Sequence, residues 1–177
     1  MKNYAIALGF KGKLYNNIIR AWKIFEKSVG IKYISTFHTQ PHIVIIAGKT
    51  KNIEKIYKNL KKIKINKFKL KSPGLGVFAN KEPNLYIRWE QSSKLIKICN
   101  LINKKSINYF HNIYQNPKNS FWVPKTTLAY KDLNYADLKS IFSKAKFIFK
   151  KNHAIIDSIY LINFDSREIL THKIKLK

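Results

Sequence analysis

Two short segments of this 177-residue chain carry polar residues in the same arrangement. One reads Pro-His-Ile-Val from position 41, the other reads Pro-Lys-Thr-Thr from position 124, and each leads into an apolar run. Side chains two positions apart on a strand point to one face, so His42 shares a face with Val44. In the same way, Lys125 shares a face with Thr127. Imidazole, ammonium and hydroxyl groups transfer protons and hold anionic oxygens, and this is the chemistry that the two segments make available.

The second segment, with the residues around it, resembles a known motif. Residues 121–129 read Phe-Trp-Val-Pro-Lys-Thr-Thr-Leu-Ala, which is similar to the second motif region of the 2H phosphoesterase superfamily. That family includes the bacterial 2′-5′ RNA ligase-like proteins and cyclic phosphodiesterases. The two Pro-led segments resemble its two HxTx or HxSx motifs, one in each of two lobes that face each other across a groove. The run of residues 74–78 followed by residues 85–87 resembles its central hairpin.

The resemblance implies a metal-independent reaction at phosphorus that uses no cofactor. In the family, one histidine takes a proton from the nucleophile, the other gives one to the leaving oxygen, and two hydroxyls stabilise the non-bridging oxygens. His42 and Thr127 match this pattern. Val44 stands in place of the first hydroxyl, and Lys125 stands in place of the second histidine. The resemblance therefore implies a catalytic and phosphate-binding site of His42, Lys125 and Thr127. A lysine at its ordinary pKa is a poor acid at neutral pH unless its surroundings lower that value.

Two functions remain open for such a site. One is binding of RNA ends or of nucleotides with 2′,3′-cyclic or 2′-5′ phosphates, with residual or altered phosphodiesterase activity. The other is a catalytically inactive RNA-binding or ribonucleoprotein component that keeps the fold. The two departures from the motif favour the second function, and the surviving histidine favours the first.

Aromatic residues near the segments are candidates for stacking on nucleic-acid bases. We assign Phe78, Trp122 and Tyr130 to nucleic-acid binding, beside Lys125 and Thr127. For each of these rings alone, packing in the core is the alternative.

The histidines do not predict a metal site. His38 and His42 are four positions apart, which on a helix would place both on one face. Pro41 between them argues against a helix, so we expect no bound metal.

Charge is the unusual property of the composition, since 35 Lys and Arg against nine Asp and Glu give +26. An AT-rich genome accounts for the choice of Lys over Arg but not for the scarcity of acids. Such a surface attracts polyanions, so RNA or nucleotide phosphates are the expected partners. Residues 49–71 hold ten lysines and one acid. They form either the solvated side of an amphipathic helix and the next strand, or a rim that tracks phosphates.

Several classes of protein are excluded. No run of about 18 apolar residues is present, so we expect no transmembrane helix and no membrane partner. The N-terminus reads as a strand and makes a poor signal peptide. Cys99 is the single cysteine, which excludes an intramolecular disulfide and predicts core packing. We expect a cytoplasmic monomer.

The order of elements predicts the architecture that positions the site. Strand–helix–strand–helix–strands recurs twice, with a break near residue 90. This pattern predicts an α+β fold and a single domain of residues 1–177. It would have two similar lobes of antiparallel-leaning sheet backed by helices, roughly residues 1–90 and 91–177, with a groove between them and strands exchanged at the termini. We also predict a helix from Ser92 or Ser93 to about Tyr114 and a hairpin of residues 154–163 and 169–176.

Overall fold

A computed structural model describes residues 1–37, 40–118, 122–150, 153–165 and 167–177. His38 of the histidine pair and Phe121 of the second motif region lie outside the described residues. The strands are β1 (Lys2–Lys11), β2 (His42–Thr50), β3 (Phe68–Lys71), β4 (Gly74–Phe78), β5 (Asn84–Arg88), β6 (His111–Gln115), β7 (Lys125–Ala129), β8 (His153–Asn163) and β9 (Ile169–Lys175). The helices are α1 (Lys13–Val29), α2 (Tyr33–Phe37), α3 (Ile53–Lys61), α4 (Ser93–Ser106) and α5 (Leu138–Ala145). Among the residues described, no helix is long and apolar enough to span a bilayer.

The described strands form two antiparallel sheets. In the six-stranded sheet, β1 lies between β2 and β8, and β6 pairs with the other edge of β2. The outer edge of β8 is shared by β3 and β9. The second sheet has three strands in the order β4-β5-β7. Helices packed on antiparallel sheets confirm the predicted α+β class.

One face of the six-stranded sheet packs on the main core and the other borders a cavity, as the side chains of β1 show. Ile6 and Leu8 point into the main core, which also takes the buried side chains of α1, α3, α4 and the second sheet. Ala5 and Ala7 alternate with them and therefore point to the opposite face. Ala5 lines a cavity there, and we call this side of the sheet the cavity face.

Each sheet takes strands from both sides of residue 90. In the six-stranded sheet, β8 and β9 from the second half join β1, β2 and β3. In the second sheet, β7 joins β4 and β5. The terminal hairpin pairs with β1 and β3 instead of with β7, so each sheet combines strands from residues 1–90 with strands from residues 91–177.

The predicted helix from Ser92 or Ser93 to Tyr114 was too long. Ser92 does cap α4, since its side chain accepts a hydrogen bond from the Leu95 amide, but α4 ends at Ser106. A short 3₁₀ turn follows, and His111–Gln115 then forms β6 at the edge of β2. The helical spacing of apolar residues continued past Ser106, but pairing with an open strand edge determined the structure there.

Cys99 of α4 confirms the predicted core packing. It is fully buried, and burial raises the pKa of its thiol to about 12. Its thiolate, the form that reacts, is therefore suppressed at neutral pH.

Candidate active site

One cavity of about 600 Å³ brings the predicted site residues together. His42 of β2 and Lys125 and Thr127 of β7 line it, and so does Tyr130, which follows β7. Apolar side chains of the six-stranded sheet complete part of the lining: Ala5, Val44, Ala47 and Ile162. Two Pro-led segments that are far apart in the sequence thus contribute to a single cavity.

The predicted alternation is present on both strands. On β7, Lys125 and Thr127 are half-buried and line the cavity, whereas Thr126 between them also borders the cavity but is itself buried. On β2, His42 and Val44 are half-buried and line the cavity, and the residues that alternate with them are buried. The strand period therefore determines which side chains can meet a ligand.

Thr126 joins the two sheets behind the cavity. Its hydroxyl donates a hydrogen bond of 2.8 Å to the carbonyl oxygen of His42 and accepts one of 2.9 Å from Nε1 of Trp89. Trp22 of α1 donates from its indole nitrogen to the carbonyl oxygen of Thr127, at 3.3 Å. The bond from Thr126 to His42 holds the start of β2 against β7 and so sets the relative position of the two motif segments, while the Trp22 bond ties β7 to α1.

We expect Thr126→Val to destabilise the protein much more than Thr127→Val does, although the two threonines are neighbours in the sequence. Thr126→Val removes the buried hydroxyl that satisfies Trp89 and the His42 carbonyl, so the free energy of unfolding falls by about 2–3 kcal/mol and Tm by about 5–10 °C. Thr127→Val alters a side chain that lines a cavity, and it shifts Tm by less than about 2 °C. Thermal unfolding followed by circular dichroism measures both. Equal Tm values would contradict the joining role of Thr126.

His42 is oriented through its Nδ1 atom. This nitrogen lies 2.9 Å from the carbonyl oxygen of Gln40 and 3.2 Å from Oε1 of Glu168. Both partners are acceptors, so the neutral ring carries its proton on Nδ1, and Nε2 is the nitrogen that can take a proton from a ligand or water. The side chains of His42 and Glu168 are 9% and 3% exposed. The shielded carboxylate therefore stabilises the imidazolium that forms when Nε2 takes a proton.

Glu168 is the site residue that the sequence did not reveal. It directly precedes β9, and its amide donates a hydrogen bond of 3.3 Å to the carbonyl oxygen of Phe37. In the sequence it follows Arg167 in the turn between two strands, a position typical of a solvated charge. The one feature of the sequence that could have drawn attention to Glu168 is the scarcity of acidic residues, of which the chain has nine. The fold buries it against His42, which no spacing rule predicts.

Lys125 lies in an environment that disfavours its charge. Burial lowers the pKa of its ammonium from the usual lysine value, and its Nζ lies 5.8 Å from the centre of the Phe78 ring. A bound anion would restore the interaction that the ammonium lost on leaving water. A lysine with a lowered pKa also gives up its proton more readily than an exposed one, which makes it a better general acid.

Val44 leaves the first motif segment without a hydroxyl in the cavity. Its carbonyl oxygen accepts hydrogen bonds from Nε2 of Gln115 at 3.1 Å and from the indole nitrogen of Trp122 at 3.4 Å. Both donors come from the second half of the chain and contact β2 here. The backbone at Val44 therefore anchors the second motif region, while its side chain contributes only apolar surface to the cavity.

A smaller cavity of about 180 Å³ shares lining residues with the first, Lys125 and Gln115 among them. Phe78 and Trp122, the two other predicted aromatics, line this smaller cavity and not the larger one. Trp122 is buried, as the packing alternative expects, whereas Phe78 is half-buried against the ring of Tyr86. Lys125 therefore stands where the two cavities meet.

Two more charged side chains line the large cavity. Asp165 accepts hydrogen bonds of 2.8 Å from the backbone amide and from the side chain of Asn3. The hydrogen bond from the backbone amide is the main cause that lowers the pKa of its carboxyl. Lys131 lies with its Nζ 4.8 Å from the ring centre of Tyr33. Within the described ranges, no three His, Cys, Asp or Glu side chains group in a way that could hold a metal ion.

Comparisons with known proteins bear on the fold. Neither a protein-family model nor a curated protein sequence matches this chain. Among solved structures, E. coli LigT in its apo form aligns over 99% of this chain and 98% of LigT, with a TM-score of 0.60 and 10% identity. A crystal structure of a phosphoesterase gives the same coverage, a TM-score of 0.57 and 12% identity.

Kluyveromyces marxianus Usb1 also aligns over 99% of this chain and 98% of its own, with a TM-score of 0.53 and 6% identity. LigT has been crystallised with 3′-AMP and with phosphate. At identities this low, structural similarity shows a shared architecture and not a shared activity. The chain thus has the fold of the 2H phosphoesterases, the superfamily that its two motif segments resemble.

Proposed function

We propose that this protein binds RNA ends or nucleotides that carry a 2′,3′-cyclic or 2′-5′ phosphate, and that it hydrolyses them with His42 and Lys125 as the acid–base pair. The observation that carries the proposal is that these two side chains, from two separate strands, line one cavity. The cavity volume of about 600 Å³ suits a nucleotide-sized ligand. The neighbouring cavity, with Phe78 in its lining, offers an aromatic surface for a base. The complex of LigT with 3′-AMP supports this ligand class for the fold.

In the proposed reaction, Nε2 of His42 takes a proton from water, and the water oxygen attacks phosphorus. The bond from phosphorus to one ribose oxygen breaks, and that oxygen takes a proton from the ammonium of Lys125. The Thr127 hydroxyl donates a hydrogen bond to a non-bridging oxygen as charge develops there. His42 then returns its proton through solvent, and Lys125 is reprotonated. Glu168 keeps the imidazole in the required tautomer and stabilises its charged form.

The proposal is tested by incubating the purified protein with cytidine 2′,3′-cyclic monophosphate and separating the products by chromatography. We expect slow, measurable conversion to a single monophosphate, because one hydroxyl donor is missing and one histidine is replaced. Conversion that persists undiminished in the Thr127→Val variant would contradict the role of Thr127 at the phosphate.

A second candidate function is nucleotide or RNA binding without hydrolysis. The specific observation that favours it is the apolar side chain of Val44 in the cavity, where the family's pattern has a hydroxyl. Retained binding of the cyclic nucleotide with no turnover would select this function and reject the proposed one.

A further inference from the structure

The structure separates the lysines of this basic chain into groups that lie on different sides of the molecule. In residues 49–71, the sequence shows one continuous lysine-rich stretch. The lysines of α3 lie on a helix whose buried side chains, Ile56 and Leu60, pack into the main core. Lys69 and Lys71 belong instead to β3, where they alternate with Phe68 and Leu70, which are buried in that core. Lys69 and Lys71 therefore point to the opposite side of the sheet, which is the cavity face.

The strand register places two more lysines on the cavity face. Directly opposed residues of an antiparallel pair point to the same side. Lys173 of β9 lies opposite Tyr160, which in turn lies opposite Ala7 of β1. Lys175 lies opposite Ser158, which is opposite Gly9.

β3 and β9 pair with successive parts of the same edge of β8, so their lysines form one line. β9 pairs with residues 158–163 of β8, and β3 pairs with residues 153–156. A backbone hydrogen bond connects the residues that flank the two strands, since the Lys67 amide donates to the Lys177 carbonyl oxygen at 2.8 Å. Along this edge the order is Lys173, Lys175, Lys69, Lys71, and all four are exposed. We call these four residues the lysine row.

The lysine row leads to the cavity. Ile162 lies two residues beyond Tyr160 on β8, on the same face, and it lines the cavity. Lys173 therefore stands about 7 Å along the strand from a cavity-lining position, and the row extends about 20 Å farther. Within each strand the lysines are two residues, or about 7 Å, apart. This repeat is comparable to the spacing of successive phosphates in an extended nucleic-acid strand.

Glu90 and Asp157 are acidic residues near the row, and the amide of Glu90 donates a hydrogen bond of 2.9 Å to the carbonyl oxygen of Lys71. Asp157 of β8 is the acid that lies between the two halves of the row, and its carboxylate is 3.9 Å from Nζ of Lys11. Lys173 has its Nζ 5.4 Å from the ring centre of Tyr160. Like charges in a line repel each other, and a polyanion laid along them removes that repulsion.

We infer that the lysine row binds the phosphodiester backbone of a single-stranded RNA whose terminal phosphate occupies the cavity. The inference rests on the proposed function and makes it more specific, because the substrate is then an oligonucleotide and not a mononucleotide. Each lysine contacts a phosphate as a point charge, without reading sequence. Affinity therefore grows with the number of nucleotides that reach the row.

The test compares two variants that lose the same charge from different sides of the molecule. One replaces Lys69, Lys71, Lys173 and Lys175 with Gln. The control replaces four exposed lysines on the two helices behind the sheet with Gln: Lys55, Lys58, Lys97 and Lys104. Fluorescence anisotropy measures the binding of a single-stranded RNA of about 12 nucleotides with a 3′-phosphate, and calorimetry measures the binding of cytidine 3′-monophosphate.

The lysine-row variant is expected to bind the oligonucleotide about 100-fold more weakly at about 0.1 M salt, with the slope of log affinity against log salt less steep by about 2–3. Its affinity for the mononucleotide changes by less than about twofold, since the cavity is intact. The control variant keeps its affinity for the oligonucleotide within about threefold.

Two outcomes overturn the inference: equal losses in both variants, or an unchanged oligonucleotide affinity in the lysine-row variant. The inference would also be overturned if the lysine-row variant lost binding to anionic phospholipid vesicles while its RNA affinity was unchanged, because the row would then be a membrane-binding surface. Failure of the proposed function appears differently, as a mononucleotide affinity that Lys125→Met does not alter.

Discussion

Replacing His42 with Ala is expected to lower the rate of cyclic-phosphate hydrolysis by about 10²–10⁴-fold. The variant lacks the Nε2 atom that takes the proton of the attacking water, and it leaves Glu168 buried without the imidazole that it orients. Binding of the nucleotide is expected to fall much less than turnover, because Lys125 and Thr127 remain in the cavity. The measurement is single-turnover hydrolysis beside calorimetric binding, so that the effect on chemistry is separated from the effect on affinity.

His172→Ala is the matched control for this experiment. His172 lies on β9, where its Nε2 is 3.2 Å from the Glu54 carboxylate and its ring packs on Tyr57 of α3. It lines neither cavity, so its loss leaves turnover unchanged. A rate that falls equally in both variants would point to an effect on folding and would remove His42 from the mechanism.

Replacing Lys125 with Met is expected to abolish tight phosphate binding and, at the same time, to stabilise the fold at neutral pH. The ammonium is the cation that both cavities share, and burial disfavours its charge. Met fills a similar volume with no charge to desolvate. We expect an affinity for phosphate and cyclic nucleotide lower by about 100-fold, and a Tm higher by about 2–4 °C.

The stability gain depends on pH in a defined direction. The folded-state pKa of Lys125 is lowered, so between that value and the usual 10.5 the unfolded chain holds more protons than the folded chain. The stability of the wild type therefore rises with pH through this window. The advantage of Lys125→Met is largest below the lowered pKa and disappears as the pH approaches 10.5.

Lys139→Met, at an exposed position of α5, is the control for the Lys125 experiment. It removes one positive charge from the surface and is expected to change neither Tm nor affinity. If Lys125→Met lowered Tm and kept the affinity, the amine would serve as a structural group and not as a phosphate ligand.

The sequence by itself determined the local structure of the site. The strand period placed Lys125 and Thr127 on one face, and the same rule placed His42 beside Val44, because a strand has only two sides. The resemblance of the Pro-led segments to the motifs of a known family implied the fold, which the structural neighbours confirm. The apolar periodicity also located α1, α3 and the terminal hairpin to within a few residues.

Only the tertiary structure decided which distant groups meet. The burial of Glu168 against His42 depends on how β9 docks beside β8, and the lowered pKa of Lys125 depends on what surrounds its strand. The end of α4 at Ser106 followed from pairing of β6 with β2, and the lysine row followed from β3 and β9 sharing one edge of β8. The physical reason is common to all of these. Periodicity is a property of neighbours along the chain, whereas desolvation, ion pairing and strand register are properties of neighbours in space, which local sequence patterns do not reveal.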